Sequence, residues 1–262
     1  MDISNSTLNK LFTAGYTAKG VVYVLIGIFA IATVLGAAGG TNGPKAVLDW
    51  IGTNPFGQLL LFLMGTGLMA YCAWRWYRAI NDPGNDADGK KGLAKRIGWA
   101  CSGTAYGILS VYTFSKVFGT GGGGGSSKQD IIARILDQPW GQTVVIIIGV
   151  IIAGVGIYQL FRGVTDRHME GVEGQSLDDD KEEAYRQAGR AGLAARAVVY
   201  GIIAYFLFRA GMMDDASQFK GISESLSYLR DASMGAALLA IVGTGLLAYG
   251  AFMFVRARYE RV

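Results

Sequence analysis

Long apolar runs alternate with short charged segments along this chain, and the acidic residues fall only between the runs. The runs approach or exceed the roughly 20 residues that a helix needs to cross about 30 Å of hydrocarbon. Because a chain in lipid must satisfy its backbone hydrogen bonds internally, the pattern predicts membrane-spanning helices. We place six of them, at 18–38, 55–78, 96–118, 139–163, 188–210 and 233–257.

The end of the second run has the features of a membrane interface. In AYCAWRWYRAINDP (70–83), tryptophan, tyrosine and arginine side chains follow the apolar run at once, and polar residues come next. Aromatic rings gather at the level of the lipid head groups, and arginine side chains extend into them. This segment therefore predicts the point at which a spanning helix leaves the bilayer.

Composition and charge support the same class of protein. Of the 262 residues, 51% are hydrophobic and only 17% are charged, whereas a soluble domain has about 25% charged residues. Lys and Arg number 17 on one side of the predicted membrane and 7 on the other, which places both ends of the sequence in the cytoplasm. The basic balance predicts membrane lipids with anionic head groups at the cytoplasmic face as partners, and it requires no nucleic acid.

The sequence contains three internal repeats. AGYTAKGVVYVLIG (14–27) matches AGLAARAVVYGIIA (191–204), and IGWACSGTAYGILS (97–110) is a weaker copy. Further along each repeat, NPFG (54–57) matches QPWG (138–141), and SMG (233–235) is an eroded counterpart. The repeats cover approximately 10–83, 95–166 and 187–260 of a single membrane domain, 1–262.

Each repeat predicts a hairpin of two spanning helices. An even number of crossings returns the chain to the same side, so the three hairpins share one orientation and favour a pseudo-threefold axis along the membrane normal. Apolar residues at helical spacing predict short amphipathic outer helices in PKAVLDWIG (44–52), KQDIIARILDQ (128–138) and GISESLSYLRD (221–231). The predicted fold class is all-α, with six transmembrane helices in three hairpins.

These motifs resemble a known family. The copies at 14–27 and 191–204, together with the Arg-x-x-x-acid ends of the repeats, are similar to the bacterial membrane family called domain of unknown function 1206. That family is recognised by three tandem two-helix repeats, and the resemblance covers roughly residues 10–260. It implies the repeat architecture and a location in the bacterial inner (plasma) membrane, and it implies no reaction.

Five residues are candidates for a binding site. Lys19 and Tyr23, like Arg196 and Tyr200, are four residues apart, so each cation shares a helix face with a phenol. Tyr106 holds the matching position in the second repeat. Under threefold symmetry the tyrosines would form a ring of hydroxyls and cations that binds an anionic head group or gates a central path. In the other interpretation each tyrosine packs within its own repeat, since tyrosine is enriched at this depth.

Three cation–acid pairs end the repeats at matching positions. Each pair has i,i+4 spacing, but the acid stands nearer the helix C-terminus, which is the weaker order. We therefore predict that the acids pair across repeats and link one hairpin to the next. The pairs are Arg78 with Asp82, Arg162 with Asp166 and Arg256 with Glu260.

Catalytic chemistry finds little support in the sequence. No carboxylate lies inside a span, where a proton-coupled carrier would need one. The only histidine, His168, lies between spans, where we predict a solvated side chain. Cys72 and Cys101 have no His or carboxylate in their spans, so we predict that both pack as small apolar residues. The sequence predicts no catalytic residue, no metal site and no cofactor.

Two functions are compatible with these observations. The favoured one is a non-catalytic structural or accessory component of a membrane complex, with other membrane proteins as partners. The alternative is a passive pathway or binding site for a small or amphiphilic molecule with an anionic head group on the pseudo-threefold axis. An enzyme ranks last, because the spans lack an activated nucleophile and a buried acid or base.

Overall fold

The computed structural model describes residues 5–36, 44–53, 57–81, 89–118, 128–170 and 179–260, and all regular structure in these ranges is helical. Six helices are long: α1 (Asn5–Val34), α3 (Gly57–Asn81), α4 (Gly89–Val117), α6 (Gly141–Val164), α7 (Asp179–Met213) and α9 (Gly235–Tyr259). One short helix lies between the two long helices of each repeat: α2 (Pro44–Gly52), α5 (Lys128–Leu136) and α8 (Ile222–Arg230), the last preceded by a 3-10 turn at Ala216–Gln218. The predicted all-α class is confirmed.

Five of the long helices could cross a membrane by length and composition, namely α1, α3, α6, α7 and α9. Within the described residues α4 is a continuous helix over most of the third predicted span, but it is not among these five. Hydroxyl side chains make α4 less apolar, and they bond to backbone carbonyls, as Ser110 Oγ does to Gly65 O at 2.7 Å. The coarse prediction of a helical membrane protein is confirmed, and the count of six spans stays a prediction.

Some helices extend beyond the predicted spans. α7 begins at Asp179, ahead of the apolar run at 188–210, because its first turns are stabilised by charged pairs rather than by lipid. Glu182 and Arg186, four residues apart, bond at 2.8 Å in the favourable acid-first order. Apolar content predicts the part of a helix that lies in the bilayer. Ion pairs such as Glu182 with Arg186 stabilise helical turns outside that apolar run.

The chain divides into two compact units. The first takes its described residues from Met1–Val22, Lys45–Gly122 and Met253–Val262, and the second takes them from Tyr23–Pro44 and Gly123–Phe252. Each unit therefore combines parts of more than one repeat. In the first unit α1 packs with α3 and α4, and in the second α6 packs with α7, while α7 and α9 contact the later part of α1.

The motif glycine that ends NPFG, QPWG and SMG starts the second long helix of each repeat. A Cβ on this glycine would lie 2.0 Å or less from a backbone carbonyl oxygen of the preceding short helix. No side chain fits at that distance, so this close approach of backbone to backbone requires glycine. The three contacts are Gly57 with Ile51 O, Gly141 with Ile135 O and Gly235 with Arg230 O.

A second set of glycines joins each repeat to the next. These glycines stand at matching positions of the second long helix, and each receives a side chain from the first long helix of another repeat. Small residues at such positions let neighbouring helices approach closely in lipid. The contacts, each inside one unit, are Gly65 with Phe114, Gly149 with Phe208 and Gly243 with Ile31.

Candidate functional site

Lys19 lies at the centre of a tyrosine cluster in the first unit. Its side chain is only 4% exposed. The ammonium nitrogen lies 5.8, 5.2 and 5.3 Å from the ring centroids of Tyr16, Tyr71 and Tyr106, which are distances at which a cation is attracted to an aromatic face. It also donates to the Tyr71 hydroxyl at 3.4 Å. The cation therefore connects α1, α3 and α4.

Two arginines extend this cluster. Arg75 donates from Nε to the Tyr71 hydroxyl at 2.7 Å and from Nη2 to the Tyr16 hydroxyl at 3.4 Å. Arg256 lies with its guanidinium carbon 4.8 Å from the Tyr16 ring centroid, and it forms a two-point salt bridge with Glu260. The phenol of Tyr16, which is buried, thus contacts arginines from both α3 and α9.

Arg196 occupies the corresponding place in the second unit. Its guanidinium carbon lies 5.4, 5.3 and 4.5 Å from the ring centroids of Tyr23, Tyr200 and Tyr249. It donates to the Tyr200 hydroxyl at 2.6 Å and to the Tyr249 hydroxyl. With its amide oxygen turned toward the guanidinium, the buried Gln159 accepts at 3.1 and 3.2 Å. Helices α1, α6, α7 and α9 therefore meet at this one cation.

The five predicted binding residues thus divide between two clusters. Lys19 and Tyr106 belong to the first unit, and Tyr23, Arg196 and Tyr200 belong to the second. In both clusters one tyrosine comes from the second long helix of the cation's own repeat. Another comes from the first long helix of a different repeat, so the two clusters have the same plan.

Sequence reasoning missed the tyrosine that belongs to the cation's own repeat, Tyr71 in one cluster and Tyr249 in the other. The sequence contains a signal that identifies these tyrosines, because they occupy matching positions once Gly65 is aligned with Gly243. Each tyrosine also packs on a glycine of the first long helix. A Cβ on Gly15 would lie 2.6 Å from Tyr71 Cβ, and one on Gly192 would lie 2.5 Å from Tyr249 Cβ.

The arginines of the three predicted terminal ion pairs make different contacts. Arg256 bonds Glu260 within its own helix. Arg162 donates to the Arg167 carbonyl at 3.3 Å. Arg78 lies 4.4 Å from the ring of Trp99, a residue of the next repeat. Its predicted partner, Asp82, lies outside the described residues.

Asp166 bonds to the third repeat. Its carboxylate accepts from Arg190 Nε at 2.7 Å and from Nη2 at 2.6 Å, and Arg186 lies 3.6 Å away. The hydrogen bonds from Arg190 hold the pKa of the Asp166 carboxyl below its usual value. The backbone of Asp166 has φ 56°, a left-handed conformation that ends α6. Asp166 thus combines a helix-ending role with a link between consecutive repeats.

His168 does not lie in solvent, so the prediction of a solvated side chain is wrong. The residue is 1% exposed, and its ring packs against Phe252 at a centroid distance of 5.4 Å. A Cβ on Gly189 would lie 2.2 Å from the ring, so α7 approaches the histidine closely. Because Gly189 has no Cβ, α7 lies close enough to bury the ring. The spacing of residues along the sequence does not predict this contact.

The two cysteines differ in exposure. Cys101 is exposed and Cys72 is partly buried, so the prediction that both pack as small apolar residues is wrong for Cys101. Within the described part of the chain, no three His, Cys, Asp or Glu side chains gather closely enough to hold a metal ion.

The apolar helices define a multi-pass helical membrane protein with internal repeats. The chain belongs to the family described as Domain of Unknown Function (DUF1206), whose model matches residues 14–82, 97–166 and 191–260. The predicted resemblance and its three tandem segments are thereby confirmed. A relative from Bacillus subtilis (strain 168), described as Uncharacterized protein YxxB, is 32% identical over 248 residues, which cover 95% of this chain and 90% of that protein. No solved structure matches the chain.

Proposed function

We propose that this protein is a non-catalytic structural component of the bacterial inner membrane and an accessory to a larger membrane complex. The observation that carries this proposal is the enclosure of Lys19 and Arg196 by tyrosines of the same chain. Each cation holds at least three helices together through ring contacts and hydrogen bonds. The amine of Lys19 and the guanidinium of Arg196 are thereby engaged in contacts between helices, which supports a structural role over a catalytic one.

The proposed arrangement has six spanning helices, with α4 as the sixth, in three hairpins about a pseudo-threefold axis. It is supported by the glycine contacts that connect the repeats in the order one to two, two to three and three to one. Equivalent positions make all three contacts, which is the pattern expected of a cyclic arrangement of like units.

Both ends of the sequence are proposed to lie in the cytoplasm, because Lys and Arg favour that side by 17 to 7. Fusions of green fluorescent protein and of alkaline phosphatase to the C-terminal end test this orientation in a bacterial host. Fluorescence without phosphatase activity is the expected result, and the opposite result overturns the proposed orientation.

Exposed glycines support contact with another membrane protein. Gly154 on α6 and Gly201 on α7 are both exposed, and an added Cβ would meet no described atom within 4 Å. Small residues on the outside of a spanning helix allow a helix of another protein to approach closely. A complex with a second membrane protein would use such positions.

Affinity purification from the native membrane in mild detergent, followed by mass spectrometry, tests the accessory role. We expect a stoichiometric membrane-protein partner with the wild-type chain and its loss with Gly201→Leu. Val198→Leu is the matched control, because Val198 is exposed on the same helix and already carries a branched side chain. A wild-type protein that is isolated alone contradicts the proposal.

Anionic head-group binding is a second candidate, supported by the convergence of Arg75 and Arg256 on Tyr16. Native mass spectrometry of the purified protein distinguishes it from the accessory role. Retained phosphatidylglycerol that is lost in Arg75→Gln would favour head-group binding. Equal lipid retention by the wild type and this variant would exclude it at this cluster.

A further inference from the structure

The two segments that connect consecutive repeats differ in charge. The first connection, residues 75–96, runs from the end of α3 into α4 and contains six Lys or Arg and three Asp or Glu. The second connection, residues 162–196, runs from the end of α6 into α7 and contains six Lys or Arg and eight Asp or Glu. The first connection therefore has an excess of positive charge, and the second has an excess of negative charge.

The arginines of the second connection have acidic partners in the chain itself. Asp166 accepts from Arg190 at 2.7 Å, and Glu182 accepts from Arg186 at 2.8 Å. In the first connection, by contrast, the α4 sequence contains no Asp or Glu. Arg96 pairs with no carboxylate among the described residues and donates instead from Nη2 to the Ile80 carbonyl oxygen at 3.1 Å.

Contacts between α3 and α4 fix the position of this basic segment. The bond from Arg96 reaches the last turn of α3. One helical turn along, the guanidinium carbon of Arg78 lies 4.4 Å from the ring centroid of Trp99, a distance at which a cation is attracted to an aromatic face. The end of α3 and the start of α4 therefore form a defined corner.

Large apolar side chains are exposed at this corner. Ile80 is 65% exposed, Leu93 61% and Ile97 55%. Lys95, which is exposed, and Arg96, which is partly exposed, stand between Leu93 and Ile97 in the sequence of α4. We call these five residues the basic corner. Cations beside exposed apolar groups are typical of a membrane interface, where the apolar groups enter the lipid and the cations meet the head groups.

We propose that the basic corner binds the head groups of anionic phospholipids. The phosphate oxygens accept from the guanidinium and ammonium groups, and the exposed Ile80, Leu93 and Ile97 contact the upper part of the acyl chains. An acidic segment of another protein would match the cations alone and would leave these apolar side chains in water. The inference rests on the proposed orientation, which places the corner in the cytoplasmic leaflet.

Native mass spectrometry of the full-length protein in a neutral detergent tests the proposal. The probes are phosphatidylglycerol and phosphatidylcholine with the same acyl chains. We expect the wild type to bind phosphatidylglycerol more tightly. Lys95→Gln should weaken that binding about fivefold, the usual contribution of one cation near an anionic surface. Arg167→Gln is the matched control, because Arg167 is exposed in the second connection and its replacement removes the same charge.

Two outcomes of this titration overturn the proposal. Equal binding of the two lipids by the wild type would favour an acidic protein as the ligand of the basic corner. Phosphatidylglycerol binding that is the same in Lys95→Gln and Arg167→Gln would show that the cations of the corner do not select the lipid. Arg96→Gln is a second variant of the corner, and Lys95→Gln alone decides if Arg96→Gln does not fold.

Arg75→Gln separates the basic corner from the cluster around Tyr16. Phosphatidylglycerol that is lost in Arg75→Gln and retained in Lys95→Gln would place the head group at Tyr16 and overturn the proposal for the corner. The opposite result supports the corner. The fusions to the C-terminal end test the orientation separately, and an inverted orientation would move the corner to the other leaflet without changing this binding result.

Hydrogen–deuterium exchange locates the bound lipid along the chain. Amides of residues 89–98 should exchange more slowly in nanodiscs of phosphatidylglycerol than in nanodiscs of phosphatidylcholine. The difference should disappear at about 1 M salt, which screens charges beyond about 3 Å. Residues 179–190 of the second connection should exchange equally in the two lipids. Equal exchange of residues 89–98 in both lipids, or a difference that salt does not reduce, contradicts the proposal.

Discussion

Arg190 and Asp166 form a two-point salt bridge, with Nε to Oδ1 at 2.7 Å and Nη2 to Oδ2 at 2.6 Å, that joins α7 to the residue ending α6. The two side chains are partly exposed, with 45% and 21% of their surface accessible. A single pair of this exposure contributes little to stability. Its two-point geometry still fixes how the third repeat begins relative to the end of the second.

Asp166→Asn tests this bridge. Asn tolerates the left-handed backbone at φ 56°, so the variant removes the charge without adding strain. We expect a small drop in melting temperature at pH 7 that vanishes in acid. The lowered pKa of Asp166 means that its stabilisation is present above the pKa of the unfolded chain and is lost as the pH falls through the folded value.

Thermal unfolding of the wild type and the variant from pH 7 down to pH 3 measures this effect. Asp166→Ala is the companion variant, because an alanine in the left-handed region is strained at every pH. A constant gap between Asp166→Asn and the wild type across the whole range would show that the carboxylate charge is not what stabilises this turn.

Gly192→Ala tests the contact between α7 and α9. The added Cβ would lie 2.6 Å from Tyr249 Cα and 2.9 Å from its backbone nitrogen, and backbone atoms cannot move aside as a flexible side chain can. Overpacking of this kind costs about 1–3 kcal/mol. We expect a lower melting temperature in detergent, followed by the intrinsic fluorescence of the tryptophans.

Gly201→Ala is the matched control, because Gly201 lies on the same helix and its Cβ would meet no described atom within 4 Å. It should leave the melting temperature unchanged or raise it slightly, since alanine favours the helix. Equal effects of the two substitutions would mean that helix propensity, and not the contact with Tyr249, determines the outcome.

Tyr249→Phe removes one acceptor of the Arg196 guanidinium. A buried donor that loses its partner costs about 1–3 kcal/mol, so we expect reduced thermal stability. Tyr23→Phe retains the ring that faces Arg196 at 5.4 Å and should leave folding intact. If Tyr23→Phe instead prevents assembly, the Tyr23 hydroxyl has a structural role of its own.

Ser110→Ala tests the contact between α3 and α4. The hydroxyl of Ser110 is fully buried and donates to the Gly65 carbonyl at 2.7 Å. Its loss should lower the free energy of unfolding by about 0.5–1.5 kcal/mol, measured by denaturation in mixed micelles. Thr104→Ala removes an exposed hydroxyl that bonds to Ala100 in its own helix and should have a smaller effect. The reverse order would contradict the packing of Ser110 between the helices.

Much of the fold follows from the sequence because lipid imposes simple rules on backbone and charge. The repeats predict where the long and short helices lie, and the motif glycines 57 and 141 lie against a carbonyl oxygen of the preceding short helix. The extra helical turns at the start of α7 escape prediction, since they are stabilised by ion pairs outside the apolar run.

Less of the candidate site could be predicted from the sequence. The cations and three tyrosines could be named from their spacing, but the partner of each cation in its own hairpin, Tyr71 or Tyr249, required comparison of the second helices. The sequence predicts a solvated His168, because histidines between spans are commonly exposed. Its burial depends on the close approach of Gly189, which only the folded chain brings to the ring.

The packing of α1 against α9 affects the order of synthesis. A Cβ on Gly27 would lie 2.6 Å from the Gly243 carbonyl oxygen, so the backbones of α1 and α9 lie in close contact. Because α1 is synthesised before α9, this face of α1 stays uncovered until the third repeat has been made. A chain truncated after the second repeat therefore lacks the α9 backbone that covers Gly27 in the folded protein.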